Sequence, residues 1–131
     1  MVSMSGIDYL LAVVLVHSIL AICSLAFLYG GVCKLAGHRV ACLTALFASS
    51  IPALPRLVFS GQPEMLAVAL VSLAFYLACY NLSATPQRQF ALDFITTGVL
   101  GVAVYARPEV AALLVLFVVF AISREKRESR R

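Results

Sequence analysis

Five ionisable residues stand at ends of apolar runs on what reads as one side of this chain: Asp8, Arg56, Glu64, Arg107 and Glu109. Gln62, Ser60 and Tyr105 add neutral polar groups beside them. An ionisable side chain in or near hydrocarbon is costly, so each asks for a function or a partner. Carboxylates accept hydrogen bonds from sugar hydroxyls, and a guanidinium grips a phosphate through parallel N–H donors. Brought together, these residues could line a polar cavity for such groups. They could equally be interfacial residues that pair with one another or with lipid headgroups.

The other reactive residue types give weaker signals. His17 lies about two turns into the first apolar run, where it could carry a proton, but a hydrogen bond to a neighbouring helix is the simpler reading. Asp93 opens a later run and reads as a partner for a helix N-terminus. Cys23, Cys33, Cys42 and Cys79 form no Cys-x-x-Cys pair and have no His at metal-ligand spacing, so they read as small apolar residues. Asn81-Leu82-Ser83 matches a glycosylation sequon but falls on the cytoplasmic side of the topology below, and is expected to be unmodified. No nucleotide-binding, metal-binding or Ser/His/Asp motif is present. No metal or other cofactor is expected in this chain.

The elements that position these residues are apolar runs. Hydrophobic residues make up 63% of the chain, charged residues 12%, and mean hydropathy is +1.01. A soluble domain is nearer 45–50% apolar, so the expected solvent is a bilayer. The fold class is all-α: a polytopic transmembrane helical bundle of about five spans. The approximate spans are 9–30, 40–59, 63–80, 90–106 and 108–122, within a helical domain 1–123 followed by a basic tail 124–131. Pro52 and Pro55 should kink or break the second run. Gly30, Gly31 and Gly37 should loosen the end of the first, while Thr96, Thr97, Gly98 and Gly101 should allow close helix contact in the fourth. The fifth run is short, and a tight turn at Arg107-Pro108-Glu109 is expected before it.

Eight of the ten Lys and Arg residues fall on alternate gaps: Lys34 and Arg39, Arg88, then five in the tail. Cytoplasmic loops carry excess Lys and Arg, so the N-terminus faces out and the C-terminus is cytoplasmic. Tyr9, Tyr29, Tyr80 and Tyr105 near run ends match an interfacial belt. The polar first eight residues lack a positive n-region and do not read as a signal peptide. The net charge of +4 lies mostly in the tail, without interleaved aromatic residues. It reads as an anchor on anionic lipid, and no nucleic-acid partner is expected.

From Leu10 to Ile122 the order of features resembles part of a GT-C-type membrane glycosyltransferase, of the mannosyltransferase kind. The resemblance rests on a Gly-and-basic turn at residues 31–39 and an Ala/Leu-rich span from Ala41 into Pro52. It rests equally on the turn Phe59-Ser60-Gly61-Gln62-Pro63-Glu64 and on the Gly-rich span that ends in Arg107-Pro108-Glu109. Such enzymes use polyprenyl-phosphate-linked sugars. The resemblance implies that Glu64 and Arg107 face the donor or acceptor cavity, with Arg107 on the lipid phosphate and Glu109, Arg56 and Gln62 nearby. It also implies integral membrane localisation, in the plasma membrane of a prokaryote or the endoplasmic reticulum of a eukaryote.

The family's catalytic carboxylate lies in a first outward loop, after a first span, and in a complete enzyme a divalent metal assists transfer. By the resemblance, this chain is expected to begin after that point. Asp8 is the acidic residue nearest to it, and no Asp-x-Asp or Glu-x-Asp pair is present. The expectation is therefore a fragment or degenerate homologue, inactive alone. The alternative is a non-catalytic accessory subunit held by a membrane protein partner. A small transporter would need a mid-membrane carboxylate for ion coupling, and Asp8, Glu64, Asp93 and Glu109 all lie at run ends.

Overall fold

The computed structural model describes the backbone of residues 6–60 and 64–128, and the side chains of residues 8–52, 56–59, 64–85 and 88–123. Six helices follow one another in this part: α1 (Gly6–Ala36), α2 (His38–Ser50), α3 (Ala53–Ser60), α4 (Glu64–Asn81), α5 (Pro86–Ala106) and α6 (Ala111–Glu128). A 3-10 turn, Pro108–Val110, joins the last two. No strand occurs among the described residues. Three helical stretches are long and apolar enough to cross a membrane: Asp8–Ala36, Glu64–Asn81 and Arg88–Ala106. Pro108–Ser123 is apolar but shorter.

Local chemistry sets the breaks. Gly37 adopts φ 85°, a conformation glycine reaches without a Cβ clash, and joins α1 directly to α2. Its N–H bonds to the Cys33 carbonyl at 3.1 Å, and its own carbonyl accepts from Ala41 N–H at 3.1 Å. Ile51 is extended because Pro52 follows it, so the second apolar run divides into α2 and α3. Arg107 is extended for the same reason before Pro108, and this ends α5 at the expected turn.

The helices lie in an open row. α2 and α3 pack on α1, α1 on α4, α4 on α5, and α5 on α6. α1 and α4 run parallel, because Gly30 meets Tyr76, Gly31 meets Phe75, and the Lys34 ammonium sits 5.6 Å from the Tyr80 ring centre. α5 runs back along α4: Asn81 meets Asp93 at one end, and Glu64 meets Arg107 at the other. The row leaves Leu11, Leu15, Phe47, Phe94, Val115 and Leu116 exposed. In water such a surface would be strongly unfavourable, whereas lipid tails solvate it.

Buried contacts come mainly from small residues: Ala41, Ala67, Ala69, Ala74 and Ala103, with Met65 and Thr96 fully enclosed. Gly30 and Gly31 do not loosen α1 as expected. Both lie inside the helix, and a Cβ on them would come within 2.9 Å of Tyr76 and 2.7 Å of Phe75. They let α1 and α4 approach closely. Gly98 and Gly101 were expected at a close helix contact, yet a Cβ there would meet nothing within 4 Å. Of that group, it is Thr96 that is fully buried.

At the far end of α4, Asn81 donates from Nδ2 to the Asp93 carboxylate at 2.6 Å. Asp93 lies beyond the first turn of α5, so it holds Asn81 and is not a dipole partner. Asn81 is 1% exposed and its sequon nitrogen is engaged, leaving no room for a glycan in the folded chain. His17 donates from Nδ1 to the Val13 carbonyl of its own helix at 2.8 Å.

Candidate functional site: an ion pair at the mouth of an apolar groove

Glu64 is the first residue of α4, where exposed backbone N–H groups and the helix dipole favour a carboxylate. Arg107 closes α5; its N–H still bonds to the Ala103 carbonyl at 2.8 Å while the rest of the residue turns away before Pro108. Because α5 is antiparallel to α4, the end of one lies level with the start of the other. Arg107 Nη2 forms an ion pair with Glu64 Oε1, and Nη1 reaches Glu109 Oε1 at 3.4 Å. The side chains are unequally shielded, with Glu64 24%, Arg107 40% and Glu109 72% exposed.

A groove of about 340 Å³ runs from this ion pair along α4. Ala67, Val68, Val71 and Ser72 of α4 line it, with Leu57 of α3 and Val110. Counted from Glu64, Val68, Val71 and Ser72 fall at i+4, i+7 and i+8, so they share one helix face. Ser72 lies about 12 Å along the axis from Glu64, at 1.5 Å per residue. Ser72 was not singled out from the sequence; its spacing from Glu64 is the signal that could have found it. A separate depression of about 380 Å³ runs along Leu10, Leu11, Val14, Leu15 and Ser18 of α1 and carries no charge.

The structure brings together Glu64, Arg107 and Glu109. Arg56 is exposed on α3, next to the groove residue Leu57, and forms no ion pair among the described residues. Tyr105 is 96% exposed and does not line the groove. Gln62 lies outside the described residues, as does the Ser60 side chain. Asp8 stands apart. The pairing of Gly30 with Tyr76 sets Glu64 level with about Ser18, and Asp8 is ten residues further along α1, roughly 15 Å.

The sequence profile of the dolichyl-phosphate-mannose-protein mannosyltransferase family matches residues 5–131. The chain belongs to that family. The match includes Glu64, Arg107 and Glu109, and with the apolar helices it makes this an integral membrane protein of mannosyltransferase-like type. No curated protein and no solved structure matches the chain.

Membership raises the question of a divalent metal. Glu64 and Glu109 are the carboxylates at this site, but the Arg107 guanidinium lies between them and would repel a cation. Among the described residues, no three His, Cys, Asp or Glu side chains converge on a metal position. These residues do not fit a metal. The group here with donors for an anion is the Arg107 guanidinium, beside an apolar groove.

Proposed function

We propose that this chain forms the donor-binding wall of a membrane glycosyltransferase that moves a sugar from a polyprenyl-phosphate carrier to an acceptor on the outward side. The observation that carries this reading is the Glu64–Arg107 ion pair at the mouth of an apolar groove. A polyprenyl-phosphate sugar has the matching parts: a charged head beside a long apolar chain. Arg107 takes the phosphate, Glu64 aims the guanidinium, and the α4 face from Val68 to Ser72 accommodates the first isoprene units. The alternating Lys and Arg pattern supports an outward-facing mouth and a multi-pass arrangement.

The test is sugar transfer from a polyprenyl-phosphate mannose donor in membranes that carry this chain as part of a full-length enzyme. Glu64→Gln and Arg107→Lys should each cut transfer at least tenfold, because lysine lacks the planar fork that grips phosphate at two points. Normal activity in both variants removes these residues from the site.

The open row favours a second reading, a subunit packed against a larger membrane protein. Gly98 and Gly101 face open space, where another helix could approach closely. Copurification with one membrane partner, and loss of the chain when that partner is deleted, would support it over the first.

A further inference from the structure

Arg107 has two terminal guanidinium nitrogens, and each already faces a carboxylate: Nη2 that of Glu64, Nη1 that of Glu109. A phosphate that grips the guanidinium end-on, through Nη1 and Nη2, competes with one of them for that edge. The two carboxylates are not equivalent. Glu64 is anchored as the first residue of α4 and is the more shielded, at 24% exposure. Glu109 sits in the short 3-10 turn, is 72% exposed, and its 3.4 Å contact is longer than the ~2.7–2.9 Å of a strong charge-assisted hydrogen bond. It lies two residues from Arg107, so its side chain can swing off without shifting a helix.

The geometry points to Glu109 as an exchangeable counter-ion that gates Arg107 and sets which phosphates the site accepts. With both carboxylates in place, one positive group faces two negative ones, and the local charge of −1 repels an anion. When Glu109 swings into solvent, the Nη1 edge is free and the remaining Glu64–Arg107 pair is neutral. A free phosphate must displace Glu109 by charge alone. A phosphate on an isoprenoid chain brings a second favourable term, burial of its tail along Val68 and Val71. Glu109 thereby discriminates lipid-linked phosphates from soluble ones. This rests on the reading of Arg107 as the phosphate-binding group.

The test uses the chain in phosphatidylcholine nanodiscs, titrated with a radiolabelled polyprenyl phosphate, with the matching polyprenol as control. Glu109→Gln removes the competing charge and keeps the shape. It should tighten polyprenyl-phosphate binding about three- to tenfold, the range expected for one like charge several ångströms away near a surface. Inorganic phosphate should then compete at concentrations that leave the unmodified chain unaffected. Glu109→Lys, a second exposed variant, should tighten binding further, whereas Glu64→Gln should weaken it. Equal tightening by Glu64→Gln and Glu109→Gln overturns the gate, as does unchanged or weaker binding in both Glu109 variants. Arg107→Gln separates the two levels of the claim. If it leaves binding intact, the phosphate reading itself fails. If it abolishes binding while the Glu109 variants do not tighten it, the gate alone fails.

Discussion

Glu64, which opens α4, and Arg107, which closes α5, form an ion pair across the mouth of the groove. Each is placed by local chemistry: the carboxylate by a helix start, the guanidinium by the proline after it. Their meeting needs the antiparallel packing of the two helices. Both side chains are part-exposed, so the pair adds modestly to stability, at most about 1 kcal/mol. In a full-length enzyme, Arg107→Gln should therefore lower transfer strongly while changing the melting temperature in detergent little. A collapse of the fold in that variant would make the pair structural and not functional.

The α1–α4 contact should be intolerant of added volume. A Cβ at Gly31 would lie 2.7 Å from the Phe75 ring. Gly31→Leu is expected to cost about 1–3 kcal/mol through overpacking, measured by denaturant unfolding in micelles. Phe75→Ala on the same chain should recover part of the loss. Additive losses in the double variant would show that the two positions do not touch.

Gly37 is demanding for a different reason. The space around it is open, but its φ of 85° strains any residue with a Cβ. Gly37→Ala should destabilise the α1–α2 connection by roughly 1–3 kcal/mol. Gly98→Ala, where neither crowding nor backbone sign applies, serves as the control and should be close to neutral.

At the opposite end, the buried Asn81–Asp93 hydrogen bond should hold the α4–α5 hairpin. Asn81→Ala should cost on the order of 1–3 kcal/mol by leaving the Asp93 carboxylate short of a donor in a half-buried site. Asp93→Asn keeps an acceptor for the Asn81 amide and should cost less. Glycosidase treatment of the protein from a eukaryotic host should leave its gel mobility unchanged, since Asn81 is enclosed. A shift would reverse the orientation drawn from the basic residues.

Much of the architecture was legible because it depends on local rules. The apolar runs predicted helices, and α1, α4 and α5 each carry a stretch long and apolar enough to cross a membrane. Pro52 and Pro108 interrupt helices where their missing N–H and their effect on the preceding residue require it. The candidate site was legible as a set of residue types but not as a cluster. Asp8 was grouped with Glu64 because both end apolar runs, yet α1 carries it roughly 15 Å along the axis. Ser72 went unnoticed because a serine within a membrane helix usually bonds to its own backbone, as Ser18 and Ser24 do.

The sequence by itself determined that this is an all-helical membrane protein, that Pro52 and Pro108 interrupt its helices, and that Glu64 and Arg107 stand at helix ends. Those outcomes follow from composition, proline and glycine chemistry, and run length. Only the tertiary structure decided that Glu64 pairs with Arg107, that Gly30 and Gly31 lie in the tight contact while Gly98 and Gly101 do not, and that Ser72 lines the groove. The physical reason is that α1 and α4 are apolar on nearly every face, so hydropathy carries no mark of which face meets a neighbour. In lipid, helix faces are chosen by close packing and by the few polar pairs that can form, and both depend on residues distant in the chain.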